Sequence, residues 1–483
     1  MKDIIKLEWR LIRTARLTWY LAGSMLLLIF FAVQMRTEKV MAYQITTDSL
    51  YKEENRRIND YAVQLDSVQK DVKKQKGSLR QSYLNPYSLV FKTPLHAFFS
   101  IDERAVISTG RSAVYTNYFV NNAWKTPILS FETPNNPYQQ LFGMFDLAFV
   151  LVYLLPLFII AFAFNLVSLE KEQGTLRLLL SFPVSPFKIF LTKTLVRVSF
   201  FFGVVVFSLV LSFLANHSGI FAFAGSILSL FALILVYIMF WFLLCLSVNL
   251  RGWSTSTNAF VLTGCWMFFL LIVPVLINMI ANIIYPVPSR TKYTAQYWTE
   301  SVVHERTERS KILDRYFQDH PELVVRRDTL DITKEWQELF GFYKAIVAQL
   351  ETTDSMLAPL TNEYNVKMAV RKRLVEKASL FSPAALFKNS LDNLAGTSDG
   401  RYQVFYEQAE QRRKAFNEFL RQKIFQEDLM TKEDVAKLPE FQQTMIVVKD
   451  ADYFSEFVMV AYVLFIILLL AWQKMKFKYE YIL

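Results

Sequence analysis

Six long apolar runs punctuate the chain, at about residues 17–34, 145–169, 197–215, 221–248, 259–285 and 454–472. Each reaches or approaches the ~20 residues that a helix needs to cross ~30 Å of hydrocarbon. The pattern predicts an all-α membrane protein with six transmembrane helices, the first and last being the shortest. Polar insertions at 35–144 and 286–453 separate the first span from the second and the fifth from the sixth. The remaining extramembrane pieces are short: 1–16, 170–196, the tight turn Asn216-His217-Ser218-Gly219, the stretch around Arg251, and a tail at 473–483.

The two insertions differ in texture. The first starts as a continuation of the first span, with Ile58, Tyr61, Leu65, Val68, Val72 and Leu79 at heptad spacing, interrupted by Gln75. Such a stripe packs on its own insertion or on a second chain. From Asn85-Pro86 onward, prolines 86, 94, 127, 134 and 137 and the alternating stretch Ala113–Val120 predict loops and short strands, giving a mixed domain. The second insertion is mainly helical, with candidate helices at 291–318, 333–352, 361–378 and 401–427. Asp319-His320-Pro321 is a break, and Leu394 to Arg401 a loop.

Charge orients these pieces. The chain of 483 residues is 53% hydrophobic and 20% charged, with a formal charge of +10. The short flanks 1–16, 170–197, Arg251 and 473–483 hold 14 Lys/Arg against 5 Asp/Glu, whereas 286–453 holds 25 against 26. By the positive-inside rule both termini face the cytoplasm and both insertions face outward. The excess charge therefore reads as topology rather than as a nucleic-acid footprint. Cys245 and Cys265, both in apolar runs, are the only cysteines, so the insertions hold neither a disulfide nor a CxxC metal site. The first run lacks a small-residue cleavage site and is read as a retained span.

Catalytic signatures are missing. There is no GxxxxGK[ST] phosphate loop and no GxSxG. His304-Glu305-Arg306-Thr307-Glu308 starts like HExxH but has Glu where the second imidazole ligand belongs. With His96, His217 and His320 as the only other histidines, the expectation is no catalytic, cofactor or metal site in this chain.

The informative stretch is the longest basic connection. Charged Glu170, Lys171 and Glu172 end the second span, Gly174 permits a sharp bend, and an apolar run then meets Pro183 and Pro186. Periodicity alone fits either a short surface element presenting Glu170, Glu172 and Arg177 to the cytosol or an ordinary interfacial loop. At the N-terminus Ile5, Trp9 and Ile12 share a helical face flanked by Lys6, Arg10 and Arg13, which suits an interfacial amphipathic helix or a plain positive anchor.

The run Glu170-Lys171-Glu172-Gln173-Gly174-Thr175-Leu176-Arg177, followed by Pro183-Val184-Ser185-Pro186 and then Lys193, resembles the loop after the second span of type-2 ABC exporter permeases. Asn136-Pro137, the segment Leu141–Asp146, Tyr285-Pro286-Val287-Pro288 and Phe381-Ser382-Pro383 resemble a bacterial subfamily with two large extracytoplasmic insertions. The resemblance implies a non-catalytic permease subunit in the bacterial cytoplasmic (inner) membrane. It would pair with a second permease subunit, alike or different, and with separate ATPase subunits that hold ATP and Mg. It also implies that Glu170, Glu172, Gly174, Thr175, Leu176, Arg177, Pro183 and Pro186 couple to the ATPase, and that the N-terminal helix flanks that contact. No cargo is implied.

No Lys, Arg, Asp or Glu sits at a span centre, which disfavours ion-coupled transport. Asn278 and Asn282, four apart on one face, either line a path or bind helices together. Pro156 and Pro274 predict kinks. Besides export, the same features fit a mechanotransmitter whose insertions act as levers on an envelope protein while nothing crosses the membrane.

Overall fold

The computed structural model describes residues 2–70, 78–93, 95–110, 118–121, 145–175, 185–216, 223–287, a few positions between 292 and 299, 309–323, 334–439 and 453–480. After the short helix α1 (Lys2–Thr14) come five helices long and apolar enough to cross a membrane: α2 (Arg16–Lys70), α3 (Leu147–Glu172), α4 (Pro186–Ala215), α5 (Ala224–Asn249) and α6 (Thr255–Ile284). This fits a membrane protein. The second insertion contributes α7 (Arg309–Asp319), α8 (Lys334–Ala378), α9 (Pro383–Leu394), α10 (Asp399–Phe425) and α11 (Lys432–Ala436). The last helix, α12 (Tyr453–Glu480), carries a shorter apolar stretch, Phe457–Gln473.

Two predicted boundaries move. Residues from 186 to 196, read as part of a loop, are the start of α4. Pro186 opens that helix, where its missing N–H is not needed. Segments 333–352 and 361–378, read as separate helices, are one helix through Pro359. The carbonyl that Pro359 leaves unpaired belongs to Ser355, which is exposed and can bond water instead.

The continuation of the first span is confirmed as one unbroken helix of 55 residues, roughly 80 Å long at ~1.5 Å per residue. Its heptad residues Tyr61, Leu65 and Val68 are buried with Leu89, Phe340, Phe416 and Leu420. The stripe thus packs on this chain's own insertions. The first insertion also contains β1 (Leu95–Phe98) antiparallel to β2 (Tyr118–Asn121), with Leu95 opposite Asn121.

An ionic node welds the insertions together. Glu54 of α2 accepts from Arg412 of α10 at 2.9 Å and from the His96 backbone N–H of β1 at 2.7 Å. The His96 ring lies 3.1 Å from the same carboxylate, and Arg412 also donates to the carbonyls of His96 and Pro439.

The helix α9 is where the second insertion departs most from expectation. It does not lie wholly outside the bundle. Phe387 is fully buried and stacks on Tyr237 of α5, with centroids 4.0 Å apart, and Tyr462 of α12 donates to the Leu380 carbonyl at 2.6 Å. One apolar core therefore runs from Ile29, Leu151, Phe213 and Trp241 of the bundle through Phe387 and Leu391 to Phe99 and Phe405 of the insertions.

Candidate functional site

The basic end of the bundle is built around the end of α3. That helix breaks into turns at residues 164–167 before its last turn, Ser168–Glu172. Asn249, at the end of α5, bridges the break. Its amide donates to the Ala163 carbonyl at 3.2 Å and its oxygen accepts the Val167 N–H at 3.2 Å. Asn258 of α6 donates to the same oxygen at 3.2 Å. Both asparagines are completely buried, and Asn249 gives the Val167 N–H at the break an acceptor that the interrupted helix does not supply.

Past the break, three consecutive charged residues point about 100° apart around the helix and so reach different neighbours. Glu170 pairs with Lys193 of α4. Lys171 donates to the Gly252 carbonyl at 2.6 Å. Glu172 accepts the Thr255 N–H at 2.8 Å, placing a negative charge at the N-terminus of α6. Ser168 and Thr255 join their hydroxyls at 2.9 Å. The chain then turns at Gly174, whose φ of +72° is one that side-chain-bearing residues seldom adopt.

Helix α1 enters the same cluster through a residue that the sequence analysis passed over. Glu8 is 1% exposed, accepts from Arg197 at 2.7 Å and lies 4.0 Å from the Lys193 ammonium. Arg197 also donates to the Phe162 carbonyl at 2.7 Å. Lys193 therefore stands where α1, α3 and α4 meet. The two ends of the sequence motif, Glu170 and Lys193, are in contact although they are 23 positions apart in the chain.

Glu170 is half-buried against Lys193, while Glu172 stays exposed even as it accepts the Thr255 N–H. Gln173, Gly174 and Thr175 are left exposed. Leu176, Arg177 and Pro183 lie outside the described residues, and Pro186 begins α4. On α1 the proposed face divides: Ile12 is buried beside Glu8, while Ile5 and Trp9 stay exposed, as do Lys6, Arg10 and Arg13. Trp9 meets Phe200 of α4 edge-on. The packed face is thus Glu8–Ile12, one turn apart. Sequence pattern hid it, since a buried glutamate looks like a surface residue until its two cations are placed.

Asn278 and Asn282 are exposed on the C-terminal half of α6, along a shallow groove with Pro274, Val275 and Met279. Asn278 donates to the Pro274 carbonyl at 3.0 Å. Among the described residues, no three His, Cys, Asp or Glu side chains come together as a metal site. His304 and His217 lie outside those residues.

Comparison with known proteins adds two matches. A family model described as a domain of unknown function (DUF3526) matches residues 293–444, and one described as a protein of unknown function (DUF2705) matches residues 110–293. The two matches meet shortly after the end of α6, at the boundary between the bundle and the second insertion. No curated protein and no solved structure matches the chain.

Proposed function

We propose that this chain is the six-span permease subunit of an ATP-driven exporter, with both termini in the cytoplasm and both insertions outside the inner membrane. It works as a dimer with separate ATPase subunits and hydrolyses no nucleotide itself. The observation that carries this reading is the braced elbow at residues 168–175. Its charged residues tie it to α4 and α6, and through Lys193 to Glu8 of α1, while its tip at Gln173–Thr175 stays exposed for a partner. A push on that tip is delivered to three helices at once, as a coupling element requires. The +9 balance of the flanks, 14 Lys/Arg against 5 Asp/Glu, supports the orientation.

One observation favours a second use of the same stroke. Helix α2 runs without a break from the bundle into the far apolar cluster, so tilting it swings the insertions. This suits a mechanotransmitter that moves an envelope partner without transport.

The test is purification from native membranes with a photocrosslinker at Thr175 or at Ile45. The Thr175 probe is expected to join an ATP-binding subunit, and the Ile45 probe, exposed on the opposite side, is not. Labelling that places Thr175 and Ile45 on the same side of the membrane would overturn the reading. Loading the complex into vesicles then separates export from lever action, since only export accumulates an amphiphilic cargo.

A further inference from the structure

Both bundle prolines follow a π-turn, and each leaves a carbonyl without its backbone donor. In α6 the π-turn is Phe268–Ile272, closed by the Val273 N–H on the Phe268 carbonyl. Continuing that five-residue register, the Phe269 carbonyl should meet the N–H of residue 274. That residue is proline and has none. In α3 the π-turn is Val150–Leu154, closed by the Leu155 N–H on the Val150 carbonyl, and in the same register Pro156 has no N–H for the Leu151 carbonyl. An unpaired carbonyl in the apolar centre of a bundle costs about 1–3 kcal/mol.

The gap in α6 is filled from another element, and the carbonyls next to the gap in α3 also accept side-chain donors. Ser382 donates to the Phe269 carbonyl at 2.7 Å. Tyr237 of α5 donates to the Val152 carbonyl at 3.0 Å, and Trp266 of α6 donates to the neighbouring Tyr153 carbonyl at 3.1 Å. Tyr237 in turn stacks on Phe387 of α9. The contacts close a ring from α3 through α5, α9 and α6 back to α3. Phe269 lies roughly 21 Å from either end of α6 at ~1.5 Å per residue, so the ring sits at the middle of the bundle.

Ser382 holds both sides of its junction. It caps α9, accepting the Ala385 N–H at 3.1 Å, and it supplies the donor that Pro274 removed from α6. We propose that α9 is a latch on the α6 hinge: Ser382 fixes the π-turn in its present register, so the second insertion and α6 move together. A π-turn that shifts register moves the missing donor to another carbonyl, at which point Ser382 no longer fits. The hinge thus has two discrete arrangements, of which the latch selects one. This holds whether the stroke exports a cargo or drives a lever, and its test needs neither cargo nor motor.

The test is hydrogen exchange of the full chain in lipid nanodiscs, comparing wild type with Ser382→Ala and Ser382→Thr. Loss of an interhelical hydrogen bond within a membrane bundle is worth ~0.6 to ~1.7 kcal/mol. Ser382→Ala is therefore expected to speed exchange at residues 269–273 about threefold to twentyfold, with α5 unchanged, and Ser382→Thr to restore protection. Three outcomes overturn the proposal. One is unchanged exchange at 269–273. Another is an increase confined to the first turn of α9, which reports capping alone. The third is an equal increase in every helix, which reports a loosened bundle.

Discussion

Two buried charge clusters, one at each end of the molecule, use the same chemistry with different completeness. In the insertions, Glu54 has both carboxylate oxygens engaged, one by Arg412 and one by His96. At the basic end, Glu8 Oε2 and Glu170 Oε2 are buried without a hydrogen-bond partner, although Lys193 and Arg197 stand beside them. Two carboxylates share one ammonium there, and Lys193 is close to Glu170 but 4.0 Å from Glu8. A saturated cluster has nothing to gain by moving. An under-satisfied one can exchange partners at small cost, because the bond lost to one carboxylate is regained on the other. The first is suited to a weld and the second to a joint.

The largest effect should come from removing one cation from each cluster. Arg412→Met strands Glu54 in a site that is 6% exposed, and breaking a buried pair in this way costs about 3–5 kcal/mol. Lys193→Met should cost about half of that or less, since Glu8 keeps Arg197 and Glu170 is partly solvated. Thermal unfolding of the purified protein measures both. Equal losses would erase the distinction between weld and joint.

Next in size is Asp434, which caps α11 by accepting from Thr431 and pairs with Lys423 at 2.8 Å. Burial pushes its carboxyl up, but Lys423 and Thr431 outweigh burial and hold it below the usual carboxylate range. A lowered folded-state value adds stability above the unfolded value and loses it as pH falls through the folded one. Asp434→Asn should cost about 2 kcal/mol at neutral pH, with the gap to wild type closing in acid. Denaturant unfolding at several pH values checks the sign. A gap that stays constant with pH would remove this second weld from the insertions.

The smallest effect tests the elbow tip. Gly174 has open space where a Cβ would stand, so Gly174→Ala costs only the left-handed backbone, about 1–2 kcal/mol. Confined to the tip of the proposed coupling element, that loss should appear as weaker retention of the proposed ATPase subunit on purification, with a melting shift smaller than that of Lys193→Met. A melting shift as large as that of Lys193→Met would mean that the tip belongs to the folded core.

Much of this was legible in advance because it depends on short-range rules. Apolar runs of sufficient length read as spanning helices, Tyr61, Leu65 and Val68 marked the packed stripe of α2, and Asp319-His320-Pro321 ended α7. Pro156 and Pro274 announced irregular helices. What pattern could not provide were partners distant in the chain. The sequence motif contained Glu170 and Lys193 without indicating that they touch, and Glu8 was invisible because burial of a carboxylate is decided by cations 185 and 189 positions away. The helix α9 was missed for a similar reason: its apolar residues face a bundle that only the fold assembles.

By itself, then, the amino-acid order determined the helices, their apolar faces, the charged flanks and the places where proline removes a donor, since each follows from neighbours within a few turns. The tertiary structure alone decided which side chains supply the missing donors and which carboxylates share Lys193. Hydrogen bonds and ion pairs act only over a few ångströms, and the groups that satisfy these sites come from elements far apart along the chain.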